Sequence, residues 1–132
     1  MIGETNLEKL IQEMNPELNK GEFVFCKLDS EETLHKVKPV CLFREQEGMT
    51  VILPKTIAEE LKLSYAFVCS WITLSIRSSL DAVGFTARVS QALAEVGISC
   101  NIIAAYYHDH LFIPIDKADQ VLKILRSLKN NS

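Results

Sequence analysis

The chain has 132 residues, of which 48% are hydrophobic and 23% are charged, and its formal net charge is −3. This length suits one ordinary domain or two small ones that share a core. A net negative charge argues against nucleic acid as a partner, because binding to phosphates depends on Lys and Arg. No segment approaches the roughly 20 apolar residues that span a bilayer, and the N-terminus lacks the features of a signal peptide. We therefore expect a cytoplasmic protein with no membrane partner.

Hydrophobic periodicity and turn residues predict the secondary structure. The predicted elements, in chain order, are helix 5–14, strand 21–28, a helical turn at 31–35, a hairpin of strands 40–45 and 49–53, helix 56–62, a long strand 66–77, helix 83–96, strands 99–106 and 110–115, and helix 117–128. Thr5 or Asn6 caps the first helix, which ends before Pro16. Residues 129–132 form a tail.

An internal repeat relates the two halves of the chain. With a shift of sixty residues, segment 51–54 (Val-Ile-Leu-Pro) falls on segment 111–114 (Leu-Phe-Ile-Pro), and Thr56 falls on Asp116. Both copies are typical of a strand that ends at proline and precedes a capped helix. Thr56 and Glu59 also have the spacing of a capping box. The repeat indicates a duplication, although two unrelated strand-to-helix corners would give the same short match.

The stretch from residue 78 to residue 102 carries the clearest functional signal. The apolar positions of helix 83–96 fall on one face and are Phe85, Val89, Ala92, Leu93 and Val96. Gly97 supplies a left-handed C-cap, and Gly84 in the first turn lets another backbone or a small ligand approach closely. A helix start after a strand offers free N–H groups and a positive dipole end to a carboxylate.

This pattern resembles the ACT domain, a ferredoxin-like βαββαβ module that senses amino acids in metabolic regulators. The resemblance spans about residues 20–128, and Gly84 and the turn Gly97–Ile98 carry most of it. More narrowly, the chain is similar to a little-characterised bacterial family of tandem ACT-domain proteins. The segments that it shares with this family are 21–25, 43–48 and 106–110. It departs from the general ACT pattern at Val83, where proline is frequent, and at Thr86, where leucine is usual.

The resemblance and the repeat together predict an α+β fold. We expect tandem ferredoxin-like units of the ACT type, with a mostly antiparallel sheet and helices on one face. The predicted domains are an N-terminal helix (1–19), a first unit with a reduced first helix (20–66), a second unit (67–128) and a tail (129–132). The apolar stretch 66–77 is expected to close the first unit and open the second as one bent strand.

The resemblance implies an amino acid or a related metabolite as ligand. The resemblance also implies that this ligand lies between the turn at 78–84 and the start of the next strand. We expect Asp81 to bind the ammonium, the N–H groups near Val83–Phe85 to bind the carboxylate, and Asn101 to add a side-chain hydrogen bond. The predicted ligand-binding residues are Ser78, Ser79, Leu80, Asp81, Val83, Gly84, Phe85, Asn101 and Ile102. Alternatively, Asp81 only caps helix 83–96 and no ligand is needed.

Two other functions stay open. The Tyr106–His110 segment, with two histidines and an aspartate, invites an enzyme or a metal site, but a solvated hairpin tip with His108 and Asp109 at its apex accounts for it more simply. A ligand-free interaction module is the second alternative.

We predict a non-catalytic regulatory protein with no cofactor and no metal, as a monomer or a homodimer. The four scattered cysteines, none in a Cys-x-x-Cys motif, are expected to be buried thiols.

Overall fold

A computed structural model describes residues 6–76 and 82–130 of the chain. Its elements, in chain order, are α1 (Leu7–Glu13), β1 (Asn15–Leu28), α2 (Glu31–Leu34), β2 (Cys41–Glu45), β3 (Gly48–Pro54), α3 (Lys55–Glu60), β4 (Tyr65–Ser75), α4 (Phe85–Ala94), β5 (Asn101–Ala104), β6 (Asp109–Pro114), a 3-10 turn (Ile115–Lys117) and α5 (Ala118–Asn130). Among the described residues, no helix combines the length and apolar composition that crossing a membrane requires.

The chain forms two compact units. The first unit comprises Gly21–Cys69, and the second comprises the described residues up to Lys20 together with those from Ser70 onward. Two long strands, β1 and β4, therefore contribute one end to each unit. This grouping assigns α1 to the second unit, whereas the sequence predicts a separate N-terminal helix.

The first unit has the ferredoxin-like order of elements, β1-α2-β2-β3-α3-β4, with its strands arranged β2-β3-β1-β4. Strand β3 pairs antiparallel with both β2 and β1. Alternate residues of β1 and β3 point to one face, where α3 adds Ala58. The core on that face consists of Val24, Cys26, Leu28, Met49, Val51, Leu53 and Ala58.

The second unit has the same strand order, β5-β6-β4-β1, but takes its last strand from the beginning of the chain. Residues 15–20 of β1 occupy the edge position that would otherwise require a strand after α5. Helices α1, α4 and α5 cover one face of this sheet. The buried side chains of that core include Leu10, Ile11, Met14, Ile72, Leu74, Ile76, Phe85, Val89, Leu93, Ile98, Leu111, Ile113, Val121 and Leu125. The structure thus confirms the tandem α+β fold.

Strand β1 begins six residues earlier than predicted, at Asn15 rather than at Gly21. Pro16 ends the first helix, as predicted, but it does not prevent a strand, because a proline is tolerated at the start or the edge of a sheet. Side-chain hydrogen bonds hold this part of the strand in place. Asn19 Nδ2 donates to Thr73 Oγ1 at 2.9 Å, and Ser75 Oγ donates to a carboxylate oxygen of Glu17 at 2.9 Å.

The sixty-residue repeat is visible in the backbone. Pro54 has φ −55° and ψ 136°, Pro114 has φ −55° and ψ 139°, and each ends a strand and starts a helical turn. The predicted capping box is wrong, however. Pro54 itself is the N-cap of α3, with no side-chain hydrogen bond, so Thr56 already lies inside the helix. The same holds for Asp116, which lies inside the 3-10 turn.

The bent strand and the caps of the other helices follow the sequence more closely. Strand β4 runs without a break through the predicted seam, with Phe67 at φ +53°. Asn6 caps α1 by accepting a hydrogen bond from Lys9 N at 3.0 Å. Gly97 ends the last turn after α4 at φ +73°. The helix itself is shorter than predicted, so Val96 lies beyond its end and is exposed.

Candidate functional site

The predicted ligand site centres on the turn that precedes α4. Four of its residues, Ser78, Ser79, Leu80 and Asp81, lie outside the described part of the chain. Gly84 is the N-cap of α4 at φ +92°, a conformation that only glycine adopts without strain. As a glycine it contributes no side-chain hydrogen bond to the first N–H groups of this ten-residue helix. Val83 is 82% exposed.

Helix α1 reaches this turn. A Cβ atom built on Gly84 would lie 3.4 Å from the Cδ2 atom of Leu7, so the close approach that glycine permits is made here by an aliphatic side chain. Glu8 and Arg88 form an ion pair at 3.4 Å between the first turns of α1 and α4. Phe85 is 2% exposed and belongs to the core, so only its backbone N–H faces the turn.

Asn101 and Ile102 lie at the start of β5, where they pair with Phe112 and Leu111 of β6. Phe112 stacks on Trp71, with ring centroids 6.2 Å apart. Ile76, which directly follows β4, contacts His108 instead. His108 precedes Asp109, and Asp109 pairs with Ala104 at the far end of β5. Because a strand advances about 3.3 Å per residue, Asn101 lies about 10 Å from Ala104 along the sheet. Asn101 is therefore level with Trp71 and not with the end of β4 that leads toward α4.

The Tyr106–His110 segment differs from the solvated tip that the sequence predicts. Tyr106 and Tyr107 form the exposed turn, 62% and 66% exposed, and their rings meet edge to face with centroids 5.0 Å apart. Asp109 is only 6% exposed, and strand β6 begins with it. Asp109 is buried because it pairs with Ala104 within the sheet, and this pairing leaves residues 105–108 as the turn.

His108 and His110 both lie at hydrogen-bond distance from β4 or from Ile76, the residue that follows it. His110 Nδ1 accepts a hydrogen bond from Trp71 Nε1 at 3.0 Å and lies 3.1 Å from Thr73 Oγ1. Because an indole N–H only donates, His110 Nδ1 must be unprotonated, which fixes its tautomer with the proton on Nε2. His108 Nδ1 lies 3.3 Å from the backbone N and O atoms of Ile76. None of these partners could be inferred from the sequence, since Trp71 and His110 are 39 positions apart.

Burial explains the acid–base properties of this segment. Desolvation lowers the pKa of His110, and the charge of His108 lowers it further. Desolvation raises the pKa of the Asp109 carboxyl, against a smaller opposite effect of His108. Within the described ranges, no group of three or more His, Cys, Asp or Glu side chains is arranged to hold a metal ion. The arrangement at His110 is that of a structural hydrogen-bond network.

The described cysteines are free thiols, and two of them have strongly shifted acidity. Burial raises the pKa of Cys69 to about 12 and that of Cys100 to about 11. A thiol with a raised pKa carries little thiolate at neutral pH and is a poor nucleophile. Such cysteines behave as small hydrophobic residues. Cys26 and Cys69 are buried as the sequence predicts, whereas Cys41 and Cys100 are only half-buried.

Two ferredoxin-like units, each with helices on one face of its sheet, define a class of small α+β modules. Two family models agree with this class. Residues 2–70 match one model of the ACT domain, and residues 67–127 match another. The chain belongs to the ACT domain family and carries two ACT domains in tandem.

Solved structures show the same architecture. A Vibrio cholerae protein of unknown function, described as a possible transport protein, is 42% identical over 93% of this chain and 95% of its own, with a TM-score of 0.85. The regulatory subunit of aspartate kinase from Thermus flavus is 11% identical over 87% of this chain and 95% of its own, with a TM-score of 0.61. Aspartate kinase from Clostridium acetobutylicum is 8% identical, with a TM-score of 0.65 over 87% of this chain and 34% of its own. At these identities, the kinase structures show a shared fold. No curated protein matches the chain.

Proposed function

We propose that the protein is a non-catalytic regulator of the ACT type that binds an amino acid at the turn before α4. The observation that carries this proposal is the start of α4 itself. Each of the two units has a turn between its first strand and the helix that follows, and the longer of these two turns ends in Gly84. As a glycine, Gly84 provides no side-chain cap for the first N–H groups of the ten-residue helix α4. Such a helix start favours a carboxylate.

The ligand contacts follow from the chemistry of a free amino acid. The N–H groups near Val83–Phe85 bind the carboxylate, and Asp81 binds the ammonium. Ser78 and Ser79 contribute hydroxyls, and Leu80 contributes apolar contact. Asn101 and Ile102 contribute more weakly to ligand binding, because they lie level with Trp71 and away from the end of β4 that leads toward α4.

The non-catalytic part of the proposal is supported by the engagement of both histidines in the second unit. The Nδ1 atoms of His108 and His110 lie at hydrogen-bond distance from groups of β4. The aspartate kinase regulatory subunit with the same fold supports a regulatory role. The partner is the amino acid, and we propose a monomer or a homodimer. Four free cysteines suit the reducing cytoplasm that we propose as its location.

A thermal-shift screen against the twenty amino acids and their precursors tests this function. We expect one ligand to raise the unfolding midpoint, and Asp81→Ser to weaken its binding at least about tenfold, as the loss of a charge-assisted hydrogen bond predicts. Asp116→Ser, which removes an exposed carboxylate from the 3-10 turn, is the matched control and should bind as the parent does. Equal binding by the parent and both variants would place the ligand elsewhere. No shift with any metabolite would favour the interaction module.

A further inference from the structure

A shallow depression of about 500 Å³ lies on the sheet of the first unit. The residues that line it from β1 and β3 are Phe25, Cys26, Lys27 and Thr50. Tyr65 and Ala66 line it from the start of β4, together with Ser64, which precedes that strand. Lys27 pairs with Thr50 across β1 and β3, while their neighbours Cys26 and Val51 point into the core. Because successive residues of a strand alternate between faces, the depression lies on the face opposite the core. Its volume is within the range of about 300–1,000 Å³ typical of ligand sites.

The lining combines one cation with hydroxyl-bearing and aromatic residues. Lys27 carries an ammonium group, and Ser64 and Tyr65 carry hydroxyls. Phe25 also lines the depression, and its ring packs against the ring of Phe67, with centroids 5.9 Å apart. The ion pair that Lys27 makes with Asp29 is 3.4 Å long and exposed, so solvent weakens it and it can yield to another carboxylate.

Phe67 supplies a second observation. It has φ +53° inside β4, and a bulky side chain in the left-handed region is a genuine outlier. Such strain persists where the surrounding structure requires it, and it is frequent at ligand sites. Here the strained residue holds the ring that supports Phe25 and bends the strand that provides Ser64, Tyr65 and Ala66.

The second unit offers an internal comparison. On its sheet face opposite the core, the repeat places His110 where the first unit has Thr50. That face is closed by contacts among its own side chains: Trp71 donates to His110, and Asn19 donates to Thr73. In the first unit, the equivalent face carries a lysine beside a depression. The sheet face opposite the core is therefore sealed by hydrogen-bonded side chains in the second unit, whereas in the first unit it carries a depression.

We propose that the depression binds a small aromatic monocarboxylate. The carboxylate pairs with Lys27 and accepts hydrogen bonds from the hydroxyls of Ser64 or Tyr65, while the ring lies on Phe25. A single negative charge is favoured because Asp29 contacts Lys27 and Glu45 accepts a hydrogen bond from Thr50, so two carboxylates would repel a dianion such as phosphate. The site shares no residue with the turn before α4 and is independent of the function proposed above.

Isothermal titration calorimetry with 3-phenylpropionate tests the proposal, since this probe lacks the ammonium of an amino acid. The parent protein should bind it, and Lys27→Met should bind at least about tenfold more weakly. Lys36→Met removes an exposed lysine of the same unit and should bind as the parent does. Ala66→Leu fills the depression at an exposed position, so it should abolish binding without unfolding the protein. Inorganic phosphate should not bind.

The outcomes separate this site from the amino-acid site. Asp81→Ser should leave the affinity for 3-phenylpropionate unchanged, and Lys27→Met should leave amino-acid binding unchanged. No binding by the parent, equal binding by Lys27→Met or by Ala66→Leu, or phosphate binding of similar strength would each overturn the proposal. None of these results would affect the function assigned to the turn before α4.

Discussion

The two units share a strand order but differ in what they leave accessible. In the first unit, the start of the helix after the first strand is capped, because Ser30 Oγ accepts a hydrogen bond from Thr33 N at 3.2 Å. The sheet face opposite the core carries the depression beside Lys27. In the second unit the situation is reversed: Gly84 itself provides no side-chain cap at the start of α4, and Trp71 and His110 close the sheet face.

This difference shows which features a duplication keeps. The face that forms the core must be apolar in both units, and the proline corners at Pro54 and Pro114 keep the same backbone angles. The strand-to-helix turns diverge, and so do polar positions of the opposite face. That face nevertheless keeps a buried apolar residue at the repeat-related positions Ile52 and Phe112. Helix length diverges as well, from four residues in α2 to ten in α4. Of these two helices, α4 is the one long enough to provide an appreciable dipole at its start.

The largest expected effect concerns α1, which the structure assigns to the second unit. Leu10→Ala should destabilise the protein by about 2–5 kcal/mol, because Leu10 is fully buried and its loss leaves a cavity in that core. Leu18→Ala, at a side chain that is 46% exposed, should cost less than about 0.5 kcal/mol. Urea unfolding followed by Trp71 fluorescence measures both. Similar effects of the two changes would mean that α1 is not part of the second unit.

A smaller effect is expected at the start of α4. Gly84→Ala should cost about 1–2 kcal/mol, since a side chain at φ +92° is strained even where space is available. Gly97→Asn is the comparison, because asparagine tolerates the left-handed conformation at φ +73° and nothing lies within 4 Å of its Cβ. Thermal unfolding should rank Gly84→Ala well below Gly97→Asn. The reverse order would contradict the strained geometry of this turn.

The sealed face of the second unit should respond to pH. The pKa of His110 is lower in the folded protein than its ordinary value of 6.5, so the unfolded chain takes up the proton more readily. The stabilisation from neutral His110 is therefore present above about pH 6.5 and is lost as the pH falls through the folded pKa. Protonation of Nδ1 also breaks the hydrogen bond from Trp71, whose net value is about 1 kcal/mol.

Fluorescence of Trp71, the single tryptophan of the chain, follows this step directly. His110→Gln should remove the change in emission near the pKa, whereas His35→Gln should retain it. The groups shown to face His110 are His108 on the same segment and Trp71 and Thr73 on β4, and Asp109 is its neighbour along the chain. Burial raises the pKa of Asp109, so its titration changes stability with the opposite sign and does not mimic the effect. A titration that is identical in His110→Gln would refute the assignment.

The sequence predicted local features better than contacts between distant segments. The proline corners, the Asn6 cap, the Gly97 turn and the bent strand β4 depend on neighbouring residues, and all were predicted. The early start of β1 was missed because Pro16 suggests irregular structure when its edge position is unknown. The bond between His110 and Trp71 and the depression beside Lys27 depend on strand register across the sheet. No local pattern encodes that register.

The smallest expected effect tests how the two kinds of helix start differ in their caps. Asn6→Ala should cost about 1 kcal/mol, because Asn6 Oδ1 accepts a hydrogen bond from Lys9 N. Thr56→Ala should cost less than about 0.5 kcal/mol, since Pro54 is the N-cap of α3 and the threonine caps nothing. Chemical denaturation resolves a difference of this size when both variants are measured against the parent. If Thr56→Ala were as costly as Asn6→Ala, a capping box would exist in solution and α3 would begin two residues later, at Ile57. The proline corner would then not be the feature that the duplication preserves.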